Sequence, residues 1–127
     1  MPSHIHHIAV EVRDAEKSAE FYCGLLGFER GARFDFPERK RTIIFVKLGE
    51  TCLEFLQDAD PEAAVDNPKQ VGFKHVCLHT TDVDGEVERL RAAGAKITTE
   101  PFDTAINSRI AFLEDPDGLM LELWQDK

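Results

Sequence analysis

The chain has 127 residues, 43% hydrophobic and 31% charged, proportions that suit a globular domain able to bury a core. Its net charge of -9 weighs against nucleic acid and anionic membrane surfaces, both of which demand cations. Cys23, Cys52 and Cys77 are odd in number and lack C-x-x-C spacing, no apolar run reaches the ~20 residues of a membrane span, and Met1-Pro2-Ser3-His4 does not read as a leader, so a reduced, cytoplasmic protein is expected.

In chain order, residues 7–12 alternate polar and apolar, which predicts a strand with Ile8, Val10 and Val12 on one face and His7, Ala9 and Glu11 on the other. Asp14 is the N-cap of a helix that runs to about Gly24, with Ala15, Ala19, Tyr22 and Leu26 near helical spacing and Gly27 in the place of a left-handed C-cap. Phe28 opens a second strand, and strands near 41–48 and 51–57 meet as a hairpin at Gly49-Glu50. Residues 58–71, rich in Asp, Pro and Ala, read as a linker. Beyond it a strand holds His75, Cys77 and His79 on one face. Asp82 caps a helix whose Val83, Val87 and Leu90 share a face and which stops at Gly94, and Asp115-Pro116-Asp117-Gly118 turns a last hairpin.

The second half restates the first at an offset of 68 residues. Residues 7–14 fall on 75–82, His over His and Asp over Asp, and 41–57 fall on 109–125 with no gap, so that Arg, Leu, Glu and Gln coincide. The expected architecture is one α+β domain over 1–127 made of two tandem βαβββ modules, 4–57 and 72–127. They form a curved mixed β-sheet with helices on the outer face.

Alternation puts His7 and His75 on the face away from the helices, and Glu54 and Glu122 sit on the last strands between apolar neighbours, Leu53 and Phe55 or Leu121 and Leu123. An unpaired carboxylate in such a setting costs several kcal/mol, on the order of 2–7, and a cation relieves it. Singly, each residue reads as a hydrogen-bonded core histidine or an edge charge; four of them related by one repeat read as a metal site.

The opening His7…Asp14, the runs Ser18-Ala19-Glu20-Phe21-Tyr22 and Leu25-Leu26-Gly27-Phe28, Gly72-Phe73-Lys74-His75, and residues 112–118 ahead of Glu122 carry a resemblance along nearly the whole chain. The sequence resembles the vicinal oxygen chelate superfamily, which includes glyoxalases, bleomycin-resistance proteins and extradiol dioxygenases. The resemblance implies a metal held in a concavity by the first-strand His and last-strand Glu of each module, here His7, Glu54, His75 and Glu122. Two imidazoles and two carboxylates suit one divalent ion of Ni, Zn, Co, Mn or Fe(II), with two positions left for adjacent oxygens of a small-molecule substrate. By likeness to glyoxalase I, Glu122 moves a proton between neighbouring carbons while an enediolate is stabilised, with Glu54 as the symmetry-related alternative. Other readings are a methylmalonyl-CoA epimerase-like enzyme, which usually has Gln at the Glu54 position, and a non-catalytic binding protein resembling bleomycin-resistance proteins, which lack the ligands. Two departures bear on substrate: Glu11 stands where bacterial glyoxalase I usually has Arg, and the Asn usual after the first-module Glu is absent.

Around the ligands, Glu11 and His79 occupy equivalent positions and are expected to contact substrate or to pair with each other. Arg109 either binds a carboxylate or is architectural like its repeat partner Arg41. Trp124 and Met120 share a face with Glu122 and are expected to wall the cavity or pack the core. Arg39-Lys40-Arg41 either attracts an anionic tail or is solvated, and His4 and His6 are either bystanders or, with His7, an adventitious metal site. Family members commonly pair chains, and a homodimer is expected.

Overall fold

The structure is a computed structural model, described for residues 1–63 and 69–127. It divides into two compact units, Met1–Ala63 and Ala64–Lys127. Of the expected linker over 58–71, residues 64–68 lie outside the described residues. No helix is long and apolar enough to cross a membrane among the described residues.

The first unit runs β1 (His7–Glu11), α1 (Ala15–Leu26), β2 (Glu29–Phe36), a 3-10 turn (Pro37–Arg39), β3 (Arg41–Leu48) and β4 (Thr51–Gln57). The second runs β5 (Val76–His79), α2 (Val83–Ala92), β6 (Lys96–Asp103), β7 (Ser108–Glu114) and β8 (Met120–Asp126). Each forms a four-stranded mixed sheet of the same order, β1-β4-β3-β2 and β5-β8-β7-β6, with the outer pair β1·β4 or β5·β8 parallel. The α+β fold of two βαβββ modules is therefore as expected, one sheet to each module.

Helix α1 starts where Asp14 accepts a hydrogen bond from the Lys17 amide at 3.2 Å. It outlasts the expected end at Gly24 by two residues. An interior glycine costs a helix only about 1 kcal/mol, and Leu25 and Leu26 carry the turn on until Gly27, at φ 76°, stops it in the left-handed conformation. The helix buries Ala15, Ala19 and Tyr22 against β3 and β4, where Ile44, Val46, Leu53 and Phe55 are also buried. Tyr22 lies between the Phe28 and Phe55 rings at 5.3 and 5.1 Å. In the second module Val83, Val87 and Leu90 face Ala111, Leu113, Leu121 and Leu123, all buried.

Each helix is also tied to the end of the last strand by a repeated glutamine. The Gln57 side chain accepts from the Ala15 amide at 2.7 Å, and Gln125 accepts from the Val83 amide at 2.9 Å. An amide of the first helical turn, which has no partner inside the helix, is thereby satisfied in both copies.

The hairpins correct the gap-free repeat. Phe45 pairs with Glu54 and Phe112 with Glu122, so the last strands are 68 residues apart but the strands before them only 67. One more residue lies in the second turn, where the Asp115 carboxylate accepts from the amides of Asp117 and Leu119 at 2.9 and 2.8 Å. Because side chains alternate, a one-residue shift moves a side chain to the other face. The structural counterpart of Arg41 is thus Ser108. Arg109 pairs with Gln125 on the helix-facing side of the sheet, whereas Arg41 extends the row of Glu54.

Candidate functional site

On the face opposite α1, His7 Nε2 lies 3.5 Å from Glu54 Oε2; on the face opposite α2, His75 Nε2 lies 2.7 Å from Glu122 Oε2. Strand alternation produces both pairs, since Glu54 and Glu122 lie between Leu and Phe or Leu and Leu residues that fill the helix side. Glu122 is 7% exposed, although its carboxylate is ionisable. An aromatic ring stands edge-on to each imidazole, Phe45 to His7 and Phe112 to His75, both at a centroid distance of 5.7 Å. These rings are cross-strand neighbours of the two glutamates. They went unnoticed in the sequence because the gap-free alignment set Phe45 over Leu113.

An imidazole nitrogen and a carboxylate oxygen bound side by side to one ion, each at about 2.1 Å, stand roughly 3 Å apart. Both pairs have that spacing and the donor chemistry of a borderline divalent ion. Each module presents two such donors; no group of three or more His, Cys, Asp or Glu side chains able to hold an ion forms among the described residues.

The modules differ beside the glutamates. Ala9 is the strand neighbour of Glu54, and Cys77 that of Glu122. Burial, and next the charge of Glu122, push the Cys77 thiol up to about 11, so it stays protonated. All three cysteines are free.

One step further along each sheet lies a second polar cluster, reached from both expected positions. In the first module Glu11 accepts from the Asp58 amide at 3.3 Å, and Asp58 is held by Arg41 Nε at 2.8 Å. Burial, with Asp58 beside it, raises the Glu11 carboxyl, while Arg41 lowers Asp58. In the second module His79 Nε2 lies 3.0 Å from Asp126 Oδ2, and Trp124 Nε1 donates to Asp126 Oδ1 at 3.0 Å. These two bonds hold the Asp126 carboxyl below its ordinary value, Trp124 contributing most. Each of the two residues is therefore bonded to an aspartate of its own module. Asp58 and Asp126 had not been singled out, yet they stand 68 residues apart, each directly after a repeated glutamine.

Arg109 is placed elsewhere. Its guanidinium binds Asp84 of α2 through Nε at 2.6 Å and Nη2 at 2.8 Å, and Asp103 through Nη1 at 3.0 Å. Arg109 thus lies on the opposite face of β7 from the row of Glu122, a placement that favours the architectural one of its two expected roles. Trp124 and Met120 share the face of Glu122; Met120 is 45% exposed and Trp124 partly so. His6 Nδ1 lies 2.8 Å from His7 Nδ1.

The model of the Glyoxalase/Bleomycin resistance protein/Dioxygenase superfamily matches residues 4–123. The chain belongs to this superfamily. A probable lactoylglutathione lyase of Synechocystis sp. is 31% identical over 121 residues, spanning 94% of this chain and 92% of that protein. An ethylmalonyl-CoA/methylmalonyl-CoA epimerase of Cereibacter sphaeroides is 32% identical, spanning 98% and 99%. The crystal structure of a glyoxalase family protein from Enterococcus faecalis superposes with a TM-score of 0.85 at 27% identity, over 96% of this chain and 97% of that one. The superfamily chain thus resembles proteins named for two different activities at near-equal identity.

Proposed function

We propose that the protein is a metal-dependent isomerase or lyase that removes and returns a proton beside a carbonyl. The observation that carries this reading is the repeated His–Glu pair, set on the same face of each module with its edge-on phenylalanine. In this reading His7, Glu54, His75 and Glu122 together hold one divalent ion of Ni, Zn, Co, Mn or Fe(II), within one chain or across two. When bound, the ion supplies Lewis-acid stabilisation of negative charge on two adjacent substrate oxygens.

Glu122 takes the carbon-bound proton and returns it to the neighbouring carbon; it is the more buried glutamate and the closer to its histidine, and Glu54 is its symmetry-related alternative. Phe112 and Trp124 exclude water from that transfer, and His79 and Glu11 meet the substrate beyond the reacting carbons. Named relatives include a lyase and an epimerase, and both names are those of enzymes. The epimerase is the second reading, supported by a match over almost the full length of both chains. Unpaired strand edges at β2 and β6 and three free thiols support a homodimer in a reducing cytoplasm, the former checked by light scattering.

The test is loss of carbon-bound protons from a panel of α-hydroxy carbonyl compounds in D2O, followed by proton NMR with each candidate metal. Exchange is expected to need metal and to vanish in Glu122→Gln. Exchange that ignores this substitution, or none with any metal or compound, overturns the proposal.

A further inference from the structure

One row beyond each metal-competent glutamate the two modules part in chemistry. In the first, Glu11 accepts from the Asp58 amide, and Asp58 is taken up by the Arg41 guanidinium. In the second, the position equivalent to Glu11 is the imidazole of His79. His79 is in register with Trp124 as Cys77 is with Glu122. It therefore stands on the face of Glu122, two residues further along the strand, which is about 7 Å at the ordinary rise. Its side chain is 60% exposed and open to a ligand.

Two neighbours fix what that imidazole offers. Asp126 Oδ1 accepts from Trp124 Nε1, and Oδ2 lies against His79 Nε2, each at 3.0 Å. Trp124, and next His79, hold the Asp126 carboxyl below its ordinary value, so it is an ionised carboxylate that accepts at both oxygens. His79 Nε2 is then the nitrogen that carries the proton, and in the neutral ring Nδ1 is left with a bare lone pair. Among the described residues Nδ1 has no partner. Such a nitrogen receives a hydrogen bond from a hydroxyl or an N–H. Beside it, Ile110 pairs with Trp124 and Phe102 with Ile110, an apolar shelf across the same face on which Phe102 is 44% exposed. A ligand whose carbon body lies on this shelf brings a polar group at its edge to His79.

We propose that His79 is a substrate subsite that accepts a hydrogen bond from a hydroxyl about 7 Å from the two chelated oxygens, so that the substrate is a hydroxyl-bearing α-hydroxy or α-keto carbonyl compound. His79 touches the substrate, and Asp126 is a positioning residue that acts through the tautomer of the ring. This rests on the metal-dependent reading above, which supplies the site for the two oxygens.

The experiment is calorimetric titration of the zinc-loaded protein at about pH 8.5, above the ordinary titration range of an imidazole, with benzohydroxamate and its 4-hydroxy and 4-methoxy derivatives. All three chelate through the same two oxygens, both substituents release electrons to the ring, and only the hydroxyl donates a hydrogen bond. The hydroxy compound is expected to bind roughly three- to tenfold tighter than the methoxy compound, the worth of one net hydrogen bond, and this preference is expected to vanish in His79→Phe. It is expected to vanish in Asp126→Asn as well. There Trp124 Nε1 keeps the amide oxygen on its own side, the amide nitrogen donates to His79 Nε2, and the ring proton moves to Nδ1, where either substituent oxygen receives it. Equal binding of the hydroxy and methoxy compounds to the wild type, or a preference that survives either substitution, overturns the subsite while leaving the metal reading intact. Failure of all three compounds to bind with zinc overturns both.

Discussion

Replacing Gln125 by Met removes the acceptor that ties β8, the strand of Glu122, to the start of α2, while nearly keeping side-chain volume. The Val83 amide then loses its 2.9 Å partner, and Val83 is fully buried, so water does not readily replace the glutamine. A net hydrogen bond contributes about 1 kcal/mol, and a donor left dry costs about 1–3 kcal/mol. The expected loss is thus about 2 kcal/mol. Gln125→Glu keeps an acceptor oxygen and places a negative charge at a helix N-terminus, where it is favoured by about 0.3–1 kcal/mol, so this variant is expected to remain close to wild type. Urea unfolding followed by circular dichroism reads both. With a slope of about 1–3 kcal/mol per M, the Met variant shifts the midpoint down by roughly 1 M without changing the slope. A Met variant within about 0.5 kcal/mol of wild type, or a Glu variant as unstable as Met, refutes the reasoning.

Ser18 is buried on α1 with no hydrogen-bond partner for its hydroxyl among the described residues, so Ser18→Ala is expected to stabilise the fold by about 1 kcal/mol, read from the same urea curves. Arg30, and next Arg33, hold the Glu16 carboxylate at about 2 against an ordinary 4.5. A depressed carboxylate stabilises above its unfolded value and loses that contribution as pH falls through the folded one. Glu16→Gln should therefore cost about 1 kcal/mol at pH 7, after discounting for exposure and screening, with the difference narrowing as pH falls from 4.5 toward 2 in thermal melts. Arg109→Met is expected to lower the melting temperature and leave metal-dependent proton exchange in D2O unchanged, because its partners Asp84 and Asp103 lie on the helix side; loss of exchange without loss of stability contradicts that placement.

Much of this was legible in the residues because the repeat writes each feature twice. Both modules, the caps at Asp14, Gly27 and Asp82, the hairpins and the alternation that separates His7 and Glu54 from the core follow from periods of two and 3.6 and from turn chemistry. The end of α1 was misplaced because glycine inside a helix is penalised only mildly, and Gly24 lies in open space. Register was the costlier error. One extra residue in the turn after β7 is invisible to an ungapped comparison, yet it carries Arg109 to the opposite face and brings Phe112 to the position of Phe45. The clusters around Asp58 and Asp126 depend on side chains from separate strands meeting across a parallel pair, and no local pattern announces such a contact.

Metal analysis by mass spectrometry, on untagged protein purified without chelator, tests the central claim most directly when run beside His75→Ala and Glu122→Ala. About one divalent ion per chain in the wild type, lost in both variants, is the result this account predicts. A metal-free wild type, or metal that survives both substitutions, contradicts it.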